Sequence, residues 1–303
     1  MKKVLKLAIN LAIFLLIIGF AWYMASSMKD NSSEFRNVEL DEPFDSPYSQ
    51  ITAFELPEDI IRFELYDNKL YASAGQIVYI LDTQGNHLGS FSVGADVRDI
   101  TVWNEEVFLL YPDHVNVHHS TDGRLLRQWE AFSSISDFVS ITVAGNAIFI
   151  TDAGNKNICK LTVEGYFVDY IRSPRGFIIP SYTFDIDSWN DTIYCVNSGR
   201  HQIETYTLDG DYIASFGSHG GTAGYFAGCC NPVYISFTPD GELITSEKGN
   251  PRVGVFDRSG QFKELWFNNR MLGIGADARQ VKATNEKIFV AIRNKITVFA
   301  ERN

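Results

Sequence analysis

A chain of 303 residues with 45% hydrophobic and 14% aromatic content can bury a large core, and its composition carries no mark of disorder. Its formal net charge of −11 argues against nucleic-acid binding, which needs a basic stripe to neutralise phosphates.

The first predicted element is a helix. Within "MKKVLKLAINLAIFLLIIGFAWYMASSMKD", the 18 residues from Leu7 to Met24 include only Asn10 as a polar side chain. A helix rising ~1.5 Å per residue needs about that length to cross a bilayer. Lys2, Lys3 and Lys6 precede the run and acids accumulate after Asp30, an asymmetry that places the rest of the chain outside the cytoplasm, in a periplasm or at the cell surface. Trp22 and Tyr23 fall where an interfacial aromatic belt would sit. A cleaved signal peptide and a secreted product form the competing reading, with Ala25–Ser27 as a loose small-residue site. The run is long for such a segment, so the expectation is a retained anchor over residues 1–28. Residues 29–49, polar and acidic with two prolines, are expected to be a linker.

From residue 50 onward the chain repeats. "IVYILDTQGNHLGSF", "HVNVHHSTDGRLLRQW", "NICKLTVEGYFVDYI", "QIETYTLDGDYIASF" and "RVGVFDRSGQFKELW" each give an alternating strand, a tight turn ending in glycine, and a second alternating strand. The turn glycines Gly85, Gly123, Gly165, Gly210 and Gly260 are spaced by 38, 42, 45 and 50 residues. A further hairpin precedes each copy, as in "ITVAGNAIFITDAG" and "ISFTPDGELITSEKG", and helical periodicity is nearly absent between them. Units of four short strands at this period are propeller blades. The last copy, "VKATNEKIFVAIRNKITVFAERN", supplies only three strands, and "SQITAFELP" near residue 50 has strand composition without a partner. Pairing the two would close a ring of six blades over residues 50–303 and remove its exposed edges.

The segment "NPVYISFTPDGELITSEKGNPRVGVFDRSGQF" resembles an NHL repeat, and "FDIDSWNDTIYCVNSGRHQIETYTLDGDYIASFG" is a looser copy. The likeness weakens toward the early blades, where "YPDHVNVHHSTDG" lacks the usual polar loop. "GCCNP" followed by "SEKG" is also similar to exported bacterial propellers of the NHL type. The resemblance implies an all-β, six-bladed propeller and no single activity, because NHL-like propellers include binding scaffolds, amidating lyases and relatives of lactonases.

In such a meander the first and third turns of each blade lie on one face. The middle loops and the blade-to-blade connections lie on the other. The long connections Arg172–Ser181 and Gly217–Asn231 belong to that second face, and long loops in a compact domain are commonly functional. Asp152, Arg175, Arg200, His201, His219, Cys229, Cys230, Glu247, Lys248 and Arg252 are expected on its rim, with Asn231 at the end of the second connection. Of these, His219, Cys229, Cys230, Asn231, Glu247, Lys248, Arg252, Arg200 and His201 are the candidate ligand- or partner-binding residues.

The adjacent Cys229 and Cys230 have three readings: a vicinal disulfide, a soft-metal pair helped by His219, or two inert small residues. Export favours pairing, whereas the missing CxxC partners disfavour zinc. Glu247, Lys248 and Arg252 are either a ligand-contacting cluster or a solvated ion-pair set. Cys159 and Cys195 fall on strands and read as core residues. The glycine-rich "GSHGGTAG" precedes no helix, so it lacks the context of a phosphate-binding loop.

Calcium-dependent lactonase-like propellers hold their metal with acids and asparagine around the channel, and amidating lyases use histidines. The resemblance therefore points to the inner strands for ligands. Only Asp99 and the two acids of "FDID", Asp185 and Asp187, are available there. No cofactor is expected, with a metal at Cys229 and Cys230 or in the channel left open. The favoured function is a membrane-tethered scaffold that binds a protein or peptide partner at the cell envelope through its loop-rich face. The alternative is an exported lyase or hydrolase, amidating-lyase-like or lactonase-like, with a metal in the central channel.

Overall fold

The computed structural model describes residues 13–20, 22, 41–273, 275 and 277–302. The chain divides into two units, Met1–Leu40 and Asp41–Asn303. In the first, residues 13–20 are helical, and among the described residues no helix is long and apolar enough to cross a membrane. Most of the Leu7–Met24 run, and the linker up to residue 40, lie outside the described residues.

The second unit is a ring of six four-stranded antiparallel sheets. Blade 1 holds β2 to β5 (Ile60–Tyr66, Lys69–Ala74, Ile77–Asp82, His87–Ser92). Blade 2 holds β6 to β9 (Asp99–Trp103, Glu106–Leu110, His114–His119, Leu125–Glu130), and blade 3 holds β10 to β13 (Phe138–Ala144, Ala147–Asp152, Asn157–Thr162, Phe167–Ile171). Blade 4 holds β14 to β17 (Ile186–Trp189, Thr192–Asn197, Gln202–Thr207, Tyr212–Phe216), and blade 5 holds β18 to β21 (Tyr234–Phe237, Leu243–Glu247, Arg252–Phe256, Phe262–Phe267). Blade 6 joins β22 to β24 (Gln280–Ala283, Ile288–Ile292, Lys295–Glu301) with β1 (Tyr48–Glu55), which pairs antiparallel to β24 from Tyr48↔Glu301 to Glu55↔Lys295. The expected closure by "SQITAFELP" is therefore the closure observed. Residues preceding β1 are also fastened down: the Asp41 amide donates to Asn269 Oδ1 at 2.7 Å and the Ser46 hydroxyl to the Trp266 carbonyl at 2.7 Å.

Six hydrophobic clusters fill the six interfaces between neighbouring blades. This explains why the middle strands read as near-continuous apolar runs. A blade stacked on both sides buries both faces, and only the outer strands, such as β13 and β17, keep exposed faces. The turn glycines meet two demands at once. All five sit at positive φ, and each packs under a side chain from the outer strand of the preceding blade: Phe54, Phe91, Trp129, Ile171 and Phe216 for Gly85, Gly123, Gly165, Gly210 and Gly260.

Candidate functional site

The inner strands β2, β6, β10, β14, β18 and β22 face the ring axis with one unpaired edge each, and side chains from neighbouring blades reach several of its backbone groups. Asp99 Oδ2 accepts the Ile141 amide of the next blade at 2.9 Å, and Asp185 Oδ2 accepts the Ile235 amide of the next at 2.8 Å. Gln280 accepts the Phe63 amide at 2.9 Å and donates to the Ile61 carbonyl at 2.6 Å, which binds blade 6 to blade 1. Asp99 and Asp185, two of the three acids the sequence offers as metal ligands, are thus staples between blades, while Asp187 accepts the Ser188 amide of its own strand at 2.7 Å.

They are also already paired with cations. Arg62 lies 3.5 Å from Asp99 Oδ1 and 3.4 Å from Asp185 Oδ1, over the Tyr234 ring at 4.4 Å. One tier deeper, Lys282 reaches Glu64 at 2.8 Å and Asp187 at 3.7 Å. Each tier sets two carboxylates against one cation. Burial, opposed by Arg62 in one case and Lys282 in the other, pushes Asp185 and Asp187 each up to about 6. A divalent ion between Asp99 and Asp185 would have to displace the guanidinium that occupies that position, so these acids do not fit a channel metal. Among the described residues no group of three or more His, Cys, Asp or Glu is arranged to hold one.

The two tiers narrow the channel to a void of about 40 Å³, with a cavity of about 270 Å³ below, on the face of the tight turns. Above, on the face of the middle loops and connections, a cavity of about 760 Å³ opens over Arg62 and Asp185. Its wall includes Tyr182, Lys248, Arg279 and Arg293. Ser181 and Tyr182 on this wall sit consecutively at positive φ, 58° and 55°, as do Asp67–Asn68 and Asn104–Glu105 in two hairpin turns.

Several candidate residues gather on this face over blades 4 and 5, most of them as fasteners. Glu247 and Arg252, opposite each other on β19 and β20, are 7% and 6% exposed and form a two-point ion pair at 3.0 and 2.8 Å. Arg252 also donates to the Gly221 and Tyr225 carbonyls at 2.7 and 3.2 Å, while Glu247 Oε2 accepts the Ala227 amide at 2.9 Å. The pair therefore clamps the connection from β17 to β18. Burial pushes the Glu247 carboxyl up, against the pull of Arg252.

The same device recurs at the ends of two other second strands. Asp152 accepts the Asp137 amide at 2.9 Å, and Asn197 accepts the Ile178 amide at 2.9 Å. Asn231 is a further fastener: its side chain bridges the Ala227 carbonyl and both backbone polar groups of Lys248 at 2.8 to 3.0 Å. Arg200 donates to the Gly176 carbonyl at 3.0 Å and to the Arg175 carbonyl, tying down the other long connection. His201 pairs with the Gly228 carbonyl at 2.7 Å and packs edge-on against His219, ring centroids 4.8 Å apart.

Cys229 is exposed and Cys230 buried; both are free, with sulfurs 2.8 Å apart, next to a cis Asn231–Pro232 bond. The hydrogen bond with Cys230, followed by burial, holds the Cys229 thiol up, which disfavours the reactive thiolate. Cys159 and Cys195 are buried and unpaired, with burial holding Cys159 up at about 12. Of the nine candidates, Lys248 alone lines the mouth cavity, with its ammonium 3.4 Å from Thr183 Oγ1. Arg279, absent from the expectations, is visible in "RQVKA" once inner strands are searched for cations rather than for metal-binding acids.

Comparison with known structures supports the architecture. The chain is similar to a catalytically inactive histidine-to-alanine variant of virginiamycin B lyase from Staphylococcus aureus with quinupristin, at 17% identity and TM-score 0.62, covering 84% of this chain and 100% of that one. It is also similar to the WD40 propeller domain of Doa1, at 11% identity and TM-score 0.57, covering 86% and 98%. A protein of unknown function from Bacteroides caccae gives 11% identity and TM-score 0.52, covering 71% and 78%. No family model matches the sequence, and no curated protein does. These likenesses define a six-bladed β-propeller; the NHL resemblance rests on the quoted motifs.

Proposed function

We propose that the chain is a ligand- or partner-binding scaffold of the NHL-propeller type that captures its target over the mouth cavity of the loop-rich face. The observation that carries this reading is the cavity of about 760 Å³ set over a channel stoppered by the Arg62 and Lys282 tiers. A pocket of that size suits a small molecule or the end of a peptide.

The likeness to a lyase keeps a second reading open, that of an exported lyase or hydrolase. Against its amidating-lyase form stands the cavity wall, where no histidine is found among the described residues. A protein or peptide partner at the cell envelope, and a membrane tether through Leu7–Met24 flanked by Lys2, Lys3 and Lys6, complete the proposal.

The test is a thermal-shift screen of peptides and small molecules against the chain and its Tyr182→Ala variant, with metal analysis of the same preparation. Ligands that stabilise the chain, lose that effect in the variant and are recovered unchanged support a scaffold. A stoichiometric metal together with consumption of a ligand would establish the enzyme instead. Cell fractionation and N-terminal sequencing test the tether: a mature N-terminus near Met28 would reveal a cleaved signal peptide.

A further inference from the structure

Arg279 occupies an unusual position for a charged side chain. It precedes β22, is 7% exposed and lines the mouth cavity, with its backbone held by the Ser246 hydroxyl at 3.0 Å. Among the described residues its guanidinium has one hydrogen-bond partner, the Asp277 carbonyl, reached by Nη1 at 2.7 Å. Nε is buried and has no hydrogen-bond partner among the described residues. Buried cations are ordinarily paired with a carboxylate. In this same chain Arg62 and Arg252 both are.

Lys248 and the exposed Arg293 stand on the same wall, and neither forms an ion pair among the described residues. The acids of that wall offset them only in part. Asp185 is engaged by Arg62, while Asp59 and Asp277 are exposed to water. Burial pulls the Arg279 guanidinium below its ordinary range, and Arg293 adds to that pull against Asp277.

We propose that the mouth cavity is an anion site, in which the Arg279 guanidinium meets the carboxylate or phosphate of a small organic ligand, flanked by Lys248 and Arg293. The proposal rests on the scaffold reading and gives it a ligand class. The planar fork of a guanidinium matches both oxyanions two bonds at a time. The volume exceeds what a bare ion needs, and Val139, Phe184, Leu272 and Ile292 supply apolar wall for the rest of the molecule. The chain as a whole repels anions with its net charge of −11, so an anion that binds must find a local site.

The experiment uses the 303-residue chain in phosphate-free buffer with three probes, phenylacetate, phenyl phosphate and benzyl alcohol, read by calorimetry and thermal shift. At least one anion is expected to bind with millimolar or better affinity and benzyl alcohol not to bind; which anion is tighter separates carboxylate from phosphate. Arg279→Met is expected to weaken that anion at least tenfold while melting at or above wild type, because it removes an unpaired buried charge. Arg293→Gln, at an exposed position, is expected to weaken it severalfold without altering the fold. Absence of anion binding, binding unchanged in Arg279→Met and Arg293→Gln, or an Arg279→Met variant melting well below wild type would overturn the proposal. Neutral ligands that bind in a Tyr182-dependent manner while no anion does would defeat the anion site and leave the scaffold standing.

Discussion

Glu247 and Arg252 decide whether the polar cluster of blade 5 fastens a loop or meets a ligand. Replacing Glu247 with alanine removes both carboxylate acceptors of the Arg252 guanidinium and the acceptor of the Ala227 amide, and leaves Arg252 buried with only two carbonyl partners. A buried cation stripped of its partner costs about 3–5 kcal/mol, and the orphaned amide lies within that non-additive total. For a domain of this size that is a fall in Tm of roughly 6–20 °C. Replacing both partners with methionine removes the unpaired charge, so Glu247→Met with Arg252→Met is expected to be less destabilised than Glu247→Ala alone. Differential scanning fluorimetry and urea titration of the three proteins measure this. A Glu247→Ala chain that melts like wild type yet fails to bind the ligand of the mouth cavity would refute the clamp and restore the ligand-contacting reading.

Gly123→Ala places a Cβ at positive φ and within 2.2 Å of Phe91, whereas Gly94→Ala has positive φ but open space. About 1–2 kcal/mol of backbone strain is common to both, and overpacking of about 1–3 kcal/mol falls on Gly123 alone. Equal melting temperatures would refute the close-approach argument. Asp185 and Asp187, held near 6 against an ordinary 3.8, bind protons more tightly folded than unfolded; the stability they contribute is fully present below pH 3.8 and lost as pH rises through about 6. Moving from pH 7 to 5 should therefore stabilise the chain by about 1 kcal/mol per group, and Asp187→Asn should flatten that slope in urea titrations; an unchanged slope would count against it. Cys229→Ser at the exposed position should stay within about 0.5 kcal/mol of wild type, while Cys230→Ser buries a hydroxyl and should cost about 1–3 kcal/mol. Equal effects in thermal unfolding would show the two cysteines to be in similar surroundings.

The ring was legible because its signals are local and repeated. Alternating strands and a glycine at each third turn are read within fifteen residues, and the missing strand of the last copy identifies its partner near residue 50. The site was less legible because it is assembled across blades. Nothing near "IIRFELY" announces that Arg62 meets Asp99 and Asp185 from two other blades, and acids that suggest a metal in isolation become stoppers once that guanidinium is placed. Glu247 misleads for a related reason. Its position at the end of a second strand is shared by Asp152 and Asn197, but three different side chains disguise one role, and only their common acceptance of a connecting-loop amide reveals it.

The distribution of these fasteners bears on how binding would work. Asp152, Asn197 and Glu247 secure the connections of blades 3, 4 and 5, whereas the corresponding strand ends in blades 1, 2 and 6 are Ala74, Leu110 and Ile292, which offer no side-chain acceptor. The two longest connections, β13 to β14 and β17 to β18, are thereby held by buried bonds; the first carries Tyr182 to the mouth, and Asn231 of the second holds the Lys248 backbone beside it. Ordering a loop upon binding subtracts from affinity, so a wall fixed beforehand retains more of each contact with the ligand. Arg279 joins the cavity wall from the connection into β22, with its backbone amide tied to the Ser246 hydroxyl on blade 5. That hydroxyl lies two residues before Lys248 in the chain, so the two cations of the proposed anion site are held on one local framework and little of their contact with a ligand is lost to ordering them.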